Sequence, residues 1–245
     1  MPKYEVHLAI ADRIYALLGT GVIRNRSLFF CGNVAPDAYE TRSVYGVSDK
    51  KHTHLCEDEV VHSYGYGYPE AAEQFKNRIN AFIENEYMNA GENRDLYLGY
   101  VVHLLTDEIY RVKMYQLLEA HLKNNGMGND EPDFRRHLAD RAADDEYKEV
   151  FNAISGAYRL SIQEYPFTQD LIHIFDTIWC CEVSGYINAE DISAFNGWIL
   201  NSLQNAPQQK EMINNDHDKA IAFIGFAADE IIARVSGGAG IISMI

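Results

Sequence analysis

Apolar residues recur at helical spacing through most of this chain. From His7 to Leu18 the positions Leu8, Ile10, Ala11, Ile14, Leu17 and Leu18 mark one helix, and Gly19 and Gly21 stop it. A short apolar segment, Leu28 to Cys31, leads into Gly32-Asn-Val-Ala-Pro36-Asp37. From Asp37 to Tyr68 no helical period holds. Long irregular segments of this kind are usually functional or disordered, and the aromatic content here favours order. Pro69 suits the first turn of a helix that the pattern carries to about Met88.

A long central helix is expected from about Asn93 to Asn124. Val101, Val102, Leu104, Leu105, Ile109 and Val112 predict that it is packed on several sides. Gly126 and Gly128 break it. A polar helix is expected from about Pro132 to Ile154 and a very apolar one from Phe167 to Gly185. Two more follow, about Asp191 to Leu203 and Asp216 to Val235, and the tail after them is expected to fray. No strand alternation, internal repeat or linker interrupts this order. The expected fold is all-α, a single multi-helix domain over residues 1–245.

The central helix carries polar residues in an apolar setting. His103 and Asp107 are four apart, so they are neighbours on one face, with Cβ atoms about 5–6 Å apart. Gly99 lies one turn earlier on that face and is expected to leave room for something to approach. A buried imidazole and carboxylate need a partner, and a divalent metal would satisfy both.

Composition narrows the chemistry. The 245 residues are 47 % hydrophobic, enough for a real core, and the formal net charge is −15. Such a surface repels nucleic-acid backbone and anionic lipid at long range, so no dedicated nucleic-acid module is expected. It leaves room for a small phosphate substrate. Cys31, Cys56, Cys180 and Cys181 form no C-x-x-C pair, and the N-terminal residues carry no signal-peptide pattern. No run approaches the roughly 18–20 apolar residues of a membrane span. The expectation is a reduced, cytoplasmic protein without a transmembrane segment.

The nine histidines and 36 acidic residues supply many hard or borderline ligands. His7 opens the first helix, one turn before Ala11. Asp37 follows Ala35-Pro36, and proline fixes the backbone ahead of it. His52 and His54 are two apart; in an extended segment both would face the same way, so either serves as a ligand there. Asp170, His173 and Asp176 lie three apart on an apolar helix and so share a face.

In that order the pieces resemble the zinc-dependent phospholipase C family, which includes the S1/P1-type nucleases. The pieces are His7, the turn Gly32-Asn-Val-Ala-Pro-Asp37, His54, and Leu98-Gly99 leading to His103 and Asp107. The motif-bearing part is about residues 1–125. The resemblance implies that Asp37, His54, His103 and Asp107 surround a zinc ion, and that Asp107 bridges to a second ion held by His7. The chain departs from the family where a histidine six residues after the bridging aspartate is expected: Lys113 stands there. The later His-x-x-x-Glu/Asp pair has no obvious copy, and Asp170, His173 and Asp176 are the nearest substitute, as extra ligands or as carboxylates behind them. One or two zinc ions are therefore expected.

The resemblance implies a hydrolase of phosphoric esters that uses a zinc-activated water, acting on a phospholipid head group or another small phosphoester. Asp37 would act on the water. The alternative is a helical metal-binding or partner-binding protein without catalysis.

Overall fold

The computed structural model describes residues 2–56, 69–125, 145–160, 162, 165–177, 181–205 and 215–237. Among these the chain is helical, and the only β feature is an isolated bridge between Val183 and Ile187. The helices are α1 (Tyr4–Leu18), α2 (Arg26–Val34), α3 (Val47–Thr53), α4 (Pro69–Asn85), α5 (Arg94–Asn124), α6 (Asp145–Gly156), α7 (Leu171–Asp176), α8 (Ala189–Asn205) and α9 (Asn215–Gly237), with a 3-10 turn over Ala35–Thr41. None of them is long and apolar enough to cross a membrane.

α5 is the axis of the fold. Helices α1, α2, α4, α6 and α9 all pack on it. Its buried positions run round the helix, with Leu96, Tyr100, Leu104 and Met114 fully enclosed. Each such side chain contributes roughly 1.5–3 kcal/mol through burial. The expectation for Val112 is corrected: it is exposed, because the distal part of α5 is covered on fewer sides.

α1 buries Val6, His7, Leu8, Ala9, Ile10, Ala11 and Ile14. It ends where Gly19 takes φ 63 and returns its N–H to the Tyr15 carbonyl, a left-handed terminus that glycine adopts without penalty. α2 begins at Asn25, whose side chain accepts the Leu28 N–H. The Asn25 N–H in turn donates to Asp95 in the first turn of α5, which pins the two helix starts together.

The short apolar segment Leu28 to Cys31 is part of helix α2, and helix α3 lies within the stretch read as without helical period. α2 has six consecutive buried residues, Phe29 to Val34, so its sequence shows no polar face and hence no period. α3 is a seven-residue helix of mainly polar residues. The Asp49 carboxylate accepts the Gly46 N–H at its start. Arg42 grips Asp49 and, at 2.7 Å, Asp191 of α8.

The long helix expected from Phe167 to Gly185 is confined, among the described residues, to α7. Asp170 caps its start by accepting the His173 N–H. The Thr177 hydroxyl binds the carbonyls of His173 and Ile174 at its end. Beyond it the chain reverses at Gly185, φ 81, with Val183 and Ile187 exchanging backbone bonds. The polar helix is described only from Asp145. Gly126, Gly128 and the tail beyond Gly237 lie outside the described residues, while Ser236 and Gly237 end α9.

Candidate metal centre

Two glycines set the framework. A Cβ on Gly32 would lie 1.8 Å from the Leu96 carbonyl oxygen, and one on Gly99 would lie 2.0 Å from that of Phe29. The backbones of α2 and α5 therefore touch, and no side chain fits between them. What approaches in the room that Gly99 leaves is the backbone of α2. The approach brings the Asn33 carbonyl, at the end of α2, to 2.8 Å from His103 Nδ1.

A carbonyl only accepts, so His103 donates from Nδ1. Burial holds its pKa below 6.5, and the neutral ring then carries its lone pair on Nε2. His54 is fixed the same way. It caps α3, and its Nδ1 lies 3.0 Å from the Lys50 carbonyl. The following Leu55 takes a left-handed φ of 56, with Leu55 N–H bonded to His52 and Cys56 N–H to Lys51. That closure of the helix end costs a leucine roughly 1–2 kcal/mol of backbone strain. The Tyr100 hydroxyl, from α5, donates to the Thr53 carbonyl just before His54.

The two Nε2 atoms face each other at 3.3 Å. His54 Nε2 is also 3.3 Å from Asp37 Oδ1 and 3.8 Å from Asp107 Oδ2. His7 Nε2 is 3.6 Å from Asp107 Oδ1, and the His7 ring lies flat on the His103 ring, centroids 3.7 Å apart. Donor atoms of His7, Asp37 and His103 fall within 4.8 Å of one another, as do those of His54, His103 and Asp107. All five residues read from the sequence converge.

The cluster is closed off from water. His7, His54, His103 and Asp107 are 1 % exposed or less, and Asp37 is 9 % exposed. Both ring nitrogens of His7 and the Asp107 Oδ1 atom are buried without a hydrogen-bond partner. Burial pushes His7 well below the ordinary histidine pKa, and the neighbouring His103 adds to that. For Asp37, burial acts to raise the pKa, but His103, His54 and His7 outweigh it and hold the carboxyl below the usual range. Burial likewise opposes ionisation of Asp107, and the Arg111 guanidinium with His103 and His54 overcomes it.

Arg111 is the residue that sequence reasoning missed. It follows Asp107 by one helical turn and places Nη2 3.3 Å from Asp107 Oδ2, with its guanidinium over the Phe75 ring. The i, i+4 spacing after Asp107 was the available signal. Asn33, whose carbonyl orients His103, was visible only as part of the turn motif.

Other candidates lie elsewhere. His52 is exposed on the last turn of α3; its Nε2 meets the Gly185 carbonyl at 2.7 Å and its ring stacks on Tyr186. Since α3 is a helix, residues two apart diverge, and His54 alone turns inward. Asp170, His173 and Asp176 are exposed on α7 and join no part of the cluster. Asp170 serves as a helix cap instead. His121 is exposed, and Lys113 is half-buried on α5. His62, His137 and the tyrosines 64–68 lie outside the described residues. Comparison of the chain with protein-family models, with curated proteins and with solved structures gives no match.

Proposed function

We propose that this chain is a zinc-dependent hydrolase of phosphoric esters, of the phospholipase C-like kind that the order of its motifs resembles. One observation carries the metal: two buried imidazoles turn their Nε2 atoms toward each other at 3.3 Å, beside two carboxylates. Two lone pairs so close repel unless a cation or a proton lies between them. The buried, unpartnered His7 nitrogens and Asp107 Oδ1 fit the same group. With no cysteine in the cluster, nitrogen and carboxylate donors favour zinc.

Asp37, His54, His103 and Asp107 would hold one ion, and His7 with Asp107 a second. A bound zinc ion supplies Lewis acidity and lowers the pKa of water. The carbonyls of Asn33 and Lys50 hold the two imidazoles in one tautomer, so their Nε2 lone pairs need no reorientation. Asp37 is the most exposed of the five residues and so faces the side from which substrate enters. Its carboxylate would orient or deprotonate the attacking water. The Arg111 guanidinium beside Asp107 holds that carboxylate ionised for the metal.

The enclosure of the cluster favours a second reading, a closed metal site without catalysis. A catalytic site keeps a position open to water, and a structural one is filled by four protein ligands. Metal analysis of protein purified without chelator, followed by assay on bis-nitrophenyl phosphate, separates the two. Zinc with chelator-sensitive hydrolysis supports the enzyme. Zinc without hydrolysis of phosphodiesters, phosphomonoesters or phospholipids supports the closed site, and protein that takes up no divalent metal removes both.

A further inference from the structure

Away from the histidines, two cysteines meet in the core. Cys31 of α2 and Cys181, in the segment after α7, place their Sγ atoms 3.0 Å apart although they are 150 positions apart in sequence. Both are buried free thiols, Cys31 fully and Cys181 9 % exposed. The Asn196 amide donates to Cys31 Sγ at 3.4 Å. Cysteine spacing alone gave no hint of this pair, because adjacent Cys180 and Cys181 argue against a bridge and Cys31 stands far away.

The geometry points to Cys31 and Cys181 as a redox-modification site, a dithiol that a small peroxide converts to a disulfide. The two sulfurs are already within about 1 Å of the length of a disulfide bond, roughly 2.05 Å, so closure needs little movement of either backbone. Cys181 is the attacking thiol, since it is the more exposed of the two and its Sγ shares a hydrogen bond with Cys31 Sγ. Contact with Cys31 lowers the Cys181 pKa, whereas burial raises that of Cys31 well above the ordinary thiol value.

In the first step the Cys181 thiolate attacks one oxygen of hydrogen peroxide. The O–O bond breaks, and the leaving hydroxide takes a proton and departs as water. In the second step Cys31 sulfur attacks the resulting sulfenic acid, the S–OH bond breaks, and a second water leaves with the Cys31 proton. The sum is two thiols and one peroxide giving one disulfide and two waters. A small oxidant suits a pair this enclosed, and a second sulfur already in contact favours pairing over further oxidation. The bond would fasten α2 to the segment after α7. α2 also carries Asn33, whose carbonyl holds His103.

The test uses the full chain, reduced, freed of reductant and exposed to stoichiometric hydrogen peroxide. Remaining thiols are alkylated under denaturing conditions, and the digest is mapped by fragmentation mass spectrometry. The expected result is one cross-link joining Cys31 to Cys181, reversed by dithiothreitol, retained in Cys180→Ser and lost in Cys181→Ser. The oxidised protein should also unfold higher by on the order of 5–10 °C, as a long closed loop stabilises. Full alkylation of Cys31 and Cys181 after peroxide would overturn the proposal. So would a cross-link through Cys180 or Cys56 in place of that bond.

Discussion

Gly99 of α5 rests directly on Gly32 of α2: a Cβ on Gly99 would come within 3.0 Å of the Gly32 carbonyl carbon and within 2.0 Å of the Phe29 oxygen. Both obstacles are backbone, so neither yields as a side-chain tip would. Gly99→Ala should force the helices apart, costing about 1–3 kcal/mol or more, and should weaken metal binding by carrying the Asn33 carbonyl away from His103. Gly197→Ala is the control. Gly197 lies on the exposed face of α8 with nothing within 4 Å of its Cβ position, so alanine there should be neutral or stabilise by up to about 1 kcal/mol. Thermal unfolding of the two variants checks the contrast, and equal effects would remove the packing role given to Gly99.

Metal stoichiometry follows from the two donor groups. Titration of metal-free protein with zinc should show two ions bound, falling to one in His7→Ala. His103→Ala, which removes one of the four donors proposed for the first ion, should lose that ion. A single ion in the wild type, unchanged in His7→Ala, would leave the cluster mononuclear.

Acid should destabilise the metal-free protein in two stages. Burial keeps the folded pKa of His7 and His103 below 6.5. Below that pH the unfolded chain binds more protons than the folded one, so stability falls as pH drops from about 7 to about 5. Asp37 and Asp107 are held below 3.8. Their contribution is complete above that value and is lost as pH falls further. Zinc binds only the deprotonated ligands of the folded state, so loading should move the first loss to lower pH. Denaturant midpoints across this range measure it; a flat profile between about pH 7 and about pH 5 contradicts it.

If the centre hydrolyses phosphoesters, Asp37→Asn should lower turnover by roughly 10²-fold or more, the usual scale for a group that handles the attacking water's proton. Asparagine keeps the shape and loses the charge, so most of the metal should stay. Steady-state rates with measured metal content decide this. An unchanged rate in metal-replete Asp37→Asn keeps the hydrolase and takes Asp37 out of the reaction.

The fold was legible in the sequence where a helix buries one face. α1, α8 and α9 show a period because their other faces are wet, and α5 was legible by its length and unbroken apolar content. α2 escaped because Phe29 to Val34 are all enclosed, which erases the polar side of the pattern. α3 escaped because it is short and held by Asp49 and Arg42 rather than by apolar burial. The cluster residues were legible through the order of His7, Asp37, His54, His103 and Asp107. What was not legible is who orients them. A backbone carbonyl, as at Asn33 and Lys50, has no letter in the sequence. The choice between His52 and His54 needed the helix end at Leu55. Asp170, His173 and Asp176 do follow one another at helical spacing, but the helix turns them outward.

The enclosure of the cluster also has a consequence in time. His7, His54, His103 and Asp107 have almost no contact with bulk water, and Asp37 alone is 9 % exposed, so a chelator or competing ion reaches a seated ion only slowly. Exchange then depends on local opening of α1, α2 or α5 as well as on affinity, and residence is set in part by how often those helices breathe. Affinity and exchange rate are thereby partly uncoupled. An ion acquired as the helices close round α5 stays with the molecule through changes in the surrounding metal supply that would strip an open surface site.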